Sequence, residues 1–375
     1  MMRQLAILGS YPPPYAGITL HAQRLCRLLE QRGVDYVLYN ATSSSGDGRH
    51  VVSVQRRRAL WMIRYTLAGA EPAVLILSDR LSAWCAGAIM AALRGKRVVL
   101  RLRNSALIDR VRRSGFMRRI CGLLLRRMHA IVCVNQELAE QAQALGVEAN
   151  RVHHLPGFLP PAEEVEDRGA VAAGVWEFVR AHTPVISANG KVAWHDGADL
   201  YGLDQLVELV ARLRPDYPQV GLIFCFTIHR AADEAYIDAL RDQAAQRGIR
   251  DNVLLHTAPG LFLPVLAASD AFVRPTRTDG DANSVREALA LGVPAVASNV
   301  YARPAGAIEF RTGDADDLET KVRIALARPQ DRTAPRRVEL SGEDRRRADA
   351  YIDLLAAVAE GRIPARPLTP SSAPR

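Results

Sequence analysis

Apolar positions along this chain fall into short runs separated by stripes at helical spacing. Leu5–Leu8 is an apolar run ended by the turn-rich GSYPPPYAG. From Ile18 to Gln31, Leu20, Leu25, Leu28 and Leu29 recur on one helical face, and Gly33 closes the helix. Val34–Tyr39, Ala73–Leu77, Arg97–Leu102 and Ala130–Val134 predict buried strands, with helices over Leu81–Leu93, Leu107–Met128 and Gln136–Leu145 alternating with the last three. Arg151–Leu155 predicts one more strand, which PGFLPP stops. The alternation restarts at Thr183–Ala188 and runs through strands at Gly221–Phe226, Asn252–Leu255, Ala271–Arg274, Pro294–Ala297 and Ile308–Phe310. Helices are expected at Leu203–Arg214, Asp233–Arg247, Leu261–Ala268, Ser284–Leu291, Ala315–Ala327 and Glu343–Ala359. Continuous apolar strands alternating with helices predict parallel sheets covered on both faces.

The expected organisation is therefore an α/β chain of two Rossmann-like, doubly wound domains. The first covers residues 1–161. An acidic connection with Glu163, Glu164, Glu166 and Asp167 spans 162–182, and the second domain covers 183–342. A C-terminal helix at 343–361 and a disordered Pro/Arg/Ser tail at 362–375 complete the chain. Two such domains are expected to leave an interdomain cleft beside the carboxyl ends of their strands, where nucleotides bind. A fused pair of binding modules is the other reading that the pattern alone allows.

Charge adds a polarity to this outline. The net charge is +9, but residues 1–160 hold 23 basic and 9 acidic residues, a balance of +14, against −5 for the rest. All but three of the basic residues are arginines. The stretch Leu107–Met128 carries Arg110, Arg112, Arg113, Arg118, Arg119, Arg126 and Arg127 among apolar residues at helical spacing. Such a face suits an anionic membrane surface, and equally a helix packed on its own sheet with a solvated basic side. No nucleic-acid motif accompanies the charge, so no nucleic-acid partner is expected. No apolar run reaches the ~18–20 residues of a membrane span, and MMRQLAILGSYPPP lacks the apolar core of a secretory signal. A cytoplasmic protein, peripheral on the inner face of the plasma membrane if the basic face docks there, is expected. The five cysteines are scattered and odd in number, which disfavours both a disulfide framework and a cysteine-built metal site.

The chemistry concentrates in RPTRTDGDANSVREALALGVPAVAS, Arg274–Ser298. A strand ends, a polar loop follows, and a helix opens near Ser284, where backbone N–H groups and the dipole suit a phosphate. Asp279 and Glu287 offer carboxylates to sugar or ribose hydroxyls. Ser284 and Glu287 also fit a capping box, in which Glu287 merely closes the helix.

This segment resembles the Glu-x7-Glu region of the GT-B retaining glycosyltransferases of family 4, also called group 1. Pro275, Thr276, Asp279, Glu287, Ala288, Ala290, Gly292, Pro294, Val296 and Ala297 occupy matching places. The likeness extends to SYPPPYAGITLHAQRL, to VNQELAEQAQALGV with RVHHLPGFLPP, and to NGKVAWHDGADLYGLDQLVELVARL, covering most of residues 1–330. DGDANSVREAL resembles a subgroup associated with bacterial surface-polysaccharide assembly. The resemblance implies a GT-B architecture and a metal-independent, retaining hexosyl transfer. The donor is a UDP- or GDP-sugar, bound as substrate with no separate cofactor. The acceptor is a growing glycan or one linked to polyprenyl diphosphate. The alternative is a non-catalytic relative that binds nucleotide or glycan in an assembly complex. A sugar-nucleotide epimerase of related fold is disfavoured by the Asp279–Glu287 region.

Residue by residue, the resemblance gives Glu287 the donor ribose and Asp279 the donor sugar. The loop Gly280, Asp281, Ala282, Asn283 and Ser284 would hold sugar and diphosphate, and Gly17 would approach the diphosphate closely, although Ala16 replaces the glycine before it. Lys191 falls near the family's phosphate-binding Arg, and Tyr201 replaces the Lys that normally precedes Gly202. A cationic Lys191 neutralises the leaving phosphate on this reading, and is a solvated surface lysine on the other. His21 matches a His expected to face the acceptor, or is a structural histidine. Arg103 and Asn104 replace a His-Gly turn. Arg103 cannot act as a base but can hold phosphate or sugar hydroxyls.

Overall fold

The computed structural model describes residues 4–362 apart from 14, 16, 43–47, 49, 56–57, 104–105, 156, 163–168, 170, 259, 280–281 and 329–335. The chain forms two compact units, one of residues 1–159 with 342–375 and one of residues 160–341.

The first unit runs β1 (Leu5–Gly9), α1 (Gly17–Gln31), β2 (Tyr36–Asn40), β3 (Val51–Ser53), α2 (Arg58–Ala68), β4 (Ala73–Ile76), α3 (Leu81–Arg94), β5 (Arg97–Leu102), α4 (Ala106–Arg113), α5 (Gly115–Leu125), β6 (Ala130–Cys133), α6 (Gln136–Ala144) and β7 (Val152–His154). Its seven strands are parallel, in the order β3-β2-β1-β4-β5-β6-β7. The central strands are buried along their length, which is why each is legible as an unbroken apolar run. Local chemistry fixes several helix ends. The Asn135 side chain accepts from the Leu138 amide at 2.9 Å to start α6, a cap worth about 1 kcal/mol. Gly95, at φ 60°, ends α3 in the left-handed turn that glycine adopts without strain.

Three features of this unit depart from the sequence-based expectation. The single helix Leu107–Met128 is two helices, because Ser114 leaves helical geometry and its hydroxyl accepts from the Met117 amide at 3.2 Å. Strand β3 and helix α2 were not expected, since α2 keeps few residues buried and shows no clean apolar stripe. A last helix, α13 (Gly342–Glu360), belongs with this unit rather than standing apart. Its Tyr351, Leu355 and Val358 pack with Leu5, Leu25 and Val99, and the Ala359 carbonyl accepts from Arg97 at 2.9 Å.

The second unit runs α7 (Ala173–Ala181), β8 (Val185–Gly190), the short hairpin strands β9 (Trp194–His195) and β10 (Ala198–Asp199), α8 (Leu203–Leu213), β11 (Gly221–Phe226), α9 (Glu234–Gln246), β12 (Val253–His256), α10 (Leu263–Ala267), β13 (Ala271–Arg274), α11 (Asn283–Ala290), β14 (Ala295–Ser298), β15 (Ile308–Phe310) and α12 (Ala315–Leu326). The six-stranded parallel sheet has the order β12-β11-β8-β13-β14-β15. Helix α7 lies inside the expected connection 162–182, where its Val175 packs with Val185 and Ile223. The acidic residues of that connection, 163–167, and the expected disordered tail from 363 onward lie outside the described residues.

Candidate functional site

In the second unit the chain winds outward from β8 through β11 to β12 on one side, and starts afresh at β13 on the other. The direction of winding reverses between β8 and β13, the place in a doubly wound sheet where ligands commonly bind beside the carboxyl ends of the strands. Lys191 directly follows β8, and Pro275–Asp279 follow β13. Most of the donor residues expected from sequence therefore gather at one end of one sheet.

Asp279 stands at the centre of a charged cluster. Its carboxylate accepts from Nε and Nη2 of Arg274 at 3.0 and 3.2 Å, from Nη1 of Arg303 at 3.1 Å, and from the Thr276 hydroxyl at 3.1 Å. The Arg303 side chain is only 1% exposed and Asp279 10%. Burial pushes the Asp279 carboxyl up, but the two guanidinium groups outweigh it and hold the group below the usual carboxylate range. The Arg274 guanidinium lies over the Tyr201 ring at 5.2 Å and donates to the Asn189 carbonyl at 3.3 Å. Tyr201, which replaces the lysine usual in the resembled family, thus presents an aromatic face that carries Arg274 at the end of β13.

The turn bearing Tyr201 is itself fixed. Asp199 accepts from the amides of Tyr201 and Leu203 at 2.9 and 2.7 Å and from the Tyr236 hydroxyl at 2.9 Å. Gly202 sits at φ 65°, and an added Cβ would lie 2.7 Å from the Pro275 carbonyl oxygen. Glycine is therefore demanded twice, by conformation and by close approach. Lys191 is half-buried and has no carboxylate partner among the described residues.

Helix α11 begins at Asn283, with Ala282 as its N-cap and no side chain bonded to the cap position. The capping-box reading of Ser284 and Glu287 does not hold: Ser284 is already the second helical residue and Glu287 lies one turn further in. Both are buried. The first amides of α11 are left without a side-chain cap, the arrangement suited to an anion. Gly280 and Asp281 lie outside the described residues.

In the first unit, Gly17 opens α1, and an added Cβ there would meet no protein atom within 4 Å. The protein's own packing does not demand glycine at that place. Ala16 and Asn104 lie outside the described residues. His21 is buried on α1, its Nε2 2.5 Å from Arg101 Nη1 and its ring stacked 6.0 Å from that of Tyr351. A guanidinium only donates, so Nε2 accepts and the proton resides on Nδ1. Burial, then the Arg101 charge, hold the imidazole well below its usual pKa. Through Nε2, His21 is arranged to position Arg101. Arg103 follows β5 and pairs with Asp79 at 2.7 Å.

Sequence reasoning missed Arg274, Arg303, Asp199 and Arg101. Arg274 carried a signal, being the one charged residue in the apolar strand AFVR. Arg303 carried none, because only the fold brings it to Asp279.

The two parallel-sheet units are the make-up of the GT-B fold. Residues 15–163 match the family model described as Glycosyltransferase Family 4, and residues 198–336 match Glycosyl transferases group 1. The chain belongs to this glycosyltransferase family. A curated relative, the lipopolysaccharide core biosynthesis mannosyltransferase LpsB of Rhizobium meliloti, is 27% identical over 218 residues, covering 56% of this chain and 58% of that protein. The match thus spans little more than half the length of that relative. Among solved structures, HepE from Anabaena in complex with UDP-glucose aligns with a TM-score of 0.62 at 14% identity, over 96% of this chain and 95% of that one. WaaG, a glycosyltransferase involved in lipopolysaccharide biosynthesis, aligns with a TM-score of 0.56 at 14% identity, over 95% and 98%. At these identities the likeness is one of fold.

Proposed function

We propose that the protein is a retaining, metal-independent glycosyltransferase that moves a hexose from a UDP- or GDP-sugar to a lipid-linked or growing glycan in bacterial surface-polysaccharide biosynthesis. The observation that carries this reading is the uncapped start of α11 beside the switch point of the second sheet, with Glu287 one turn in and Lys191, which has no carboxylate partner among the described residues, just past the end of β8. The α11 amides and Lys191 would take the negative charge that develops on the leaving diphosphate. The mannosyltransferase relative and the UDP-glucose complex of a structural neighbour support a nucleotide-sugar donor.

The test is donor binding by calorimetry with UDP- and GDP-sugars, followed by transfer. Glu287→Gln is expected to weaken donor binding about tenfold or more, through loss of a charge-assisted hydrogen bond to ribose, with stability changed by no more than about 1 kcal/mol. Unchanged donor affinity returns Glu287 to a packing role. The second reading, a non-catalytic relative, is favoured by one observation: Asp279 is already engaged by two arginines. Donor bound without any transfer or hydrolysis selects it.

The same reading places the protein peripherally on an anionic membrane. No helix among the described residues is long and apolar enough to cross one. Arg112, Arg113, Arg118 and Arg119 are all exposed, beside Phe116 at 70% and Leu123 at 53% exposure. Each cation near such a surface contributes ~1 kcal/mol, screened by salt. Binding to anionic vesicles is expected at low salt and release at high salt. Replacing those four arginines by Gln is expected to weaken the binding without unfolding. Equal binding to neutral and anionic vesicles, or none to either, overturns this part.

A further inference from the structure

The first unit holds a cavity of about 1140 Å³ between α2 and α3, above the carboxyl ends of β1 and β4. Its sheet changes winding direction between those two strands, so this is the switch-point crevice of the first unit. The volume exceeds the ~300–1,000 Å³ of ordinary small-molecule pockets. One wall is apolar: Trp61, Met62, Ile63 and Leu67 come from α2, and Ala86 and Ile89 from α3. Three of these gain little from the fold, since Ile63, Leu67 and Ile89 are 58%, 64% and 43% exposed. Large apolar side chains left in water around a concavity mark a surface with an apolar occupant.

The polar side of the cavity identifies what that occupant carries. Arg103 is already paired with Asp79, and Arg110 donates to the Asp79 carbonyl at 2.6 Å and lies over the Trp84 ring. Arg58 and Arg80 also line the cavity, and neither has a carboxylate partner among the described residues. They lie close enough for Arg80 to lower the Arg58 pKa, after burial, which lowers it most. Two like charges facing one cavity are relieved by an anion with several acceptor oxygens.

We propose that this cavity seats the lipid of the acceptor, an aliphatic chain lying between α2 and α3 on a phosphate or diphosphate held by Arg58 and Arg80. The proposal rests on the glycosyltransferase reading above and names the acceptor's class. The aromatic and branched side chains of α2 take the chain, and the glycan to be extended lies beyond the phosphate.

The test uses the full chain and farnesyl phosphate, kept below its critical micelle concentration, with farnesol, inorganic phosphate and UDP measured in parallel by calorimetry. Farnesyl phosphate is expected to bind saturably, at least tenfold more tightly than farnesol. The double variant Ile63→Asn, Leu67→Asn is expected to lose tenfold or more of that affinity with an unchanged circular dichroism spectrum, because both side chains are already exposed. Arg58→Gln with Arg80→Gln is expected to abolish the preference for farnesyl phosphate over farnesol. No saturable binding, binding indifferent to both pairs of changes, or inorganic phosphate binding as well as farnesyl phosphate overturns the proposal. UDP bound without farnesyl phosphate overturns the lipid site and leaves the donor reading standing. Farnesyl phosphate bound with no nucleotide bound and no transfer overturns the glycosyltransferase reading and keeps a lipid-phosphate site.

Discussion

Asp279→Ala is expected to destabilise the second unit by about 3–5 kcal/mol, because it leaves two buried guanidinium groups facing each other with no carboxylate between them. Arg274 and Arg303 both aim at Asp279, and the Arg303 side chain is almost wholly enclosed. Removing one member of a buried ionic cluster costs far more than the cluster contributes, since the remaining charges keep their desolvation penalty. For a unit of this size the loss corresponds to a fall of about 6–20 °C in Tm, read by calorimetry. Asp279→Asn keeps the shape, loses the charge and turns an amide donor toward guanidinium donors, so it is expected to fall in the same direction. The pH dependence follows from the sign of the shift. The folded carboxyl titrates below its unfolded value, so its contribution is complete above about pH 4 and is lost as pH falls further. A variant that keeps its Tm but loses donor binding would instead make Asp279 a sugar ligand with little structural role.

That cluster also marks where sequence reasoning stops. The strands were legible because a parallel strand buried on both faces must be apolar throughout, and β4, β6 and β14 are four-residue runs with no exposed position. Helices with a buried stripe, such as α8 with Leu206, Val207, Leu209, Val210 and Leu213, were legible for the same reason. Helix α2 was not, because Leu60, Ile63 and Leu67 are left largely exposed and break the relation between apolar and buried. The break at Ser114 was missed because arginines and apolar residues keep helical spacing across it, and one hydroxyl decides the matter. At the site, single residues could be placed by local motif, but their partners could not. Arg303 reaches Asp279 across 24 residues and Tyr351 reaches His21 across most of the chain. The capping box failed on a shift of two residues in the start of α11, which local pattern does not fix.

Lys191→Ala is expected to reduce kcat by on the order of a hundredfold while leaving stability nearly unchanged. The two halves of this expectation have separate grounds. Stability is spared because Lys191 lies past the end of β8, half-buried, with no carboxylate partner among the described residues. Surface substitutions of that kind usually stay within about 0.5 kcal/mol. Turnover suffers because the leaving diphosphate gains charge as the glycosidic bond breaks, and a cation fixed beside it acts on the transition state more than on the bound donor. The loss should therefore appear in kcat rather than in the affinity for the nucleoside diphosphate. Lys191→Arg restores the charge on a wider, forked head, and partial recovery is expected if charge is what matters. Tyr201 brings no charge of its own, and the guanidinium stacked on it is committed to Asp279 and Asn189. Lys191 is thus a cation just past the end of β8 that has no carboxylate partner among the described residues. Turnover of Lys191→Ala close to that of the parent protein would show that the charge on the leaving group is met from elsewhere, the α11 amides being one such source in this unit.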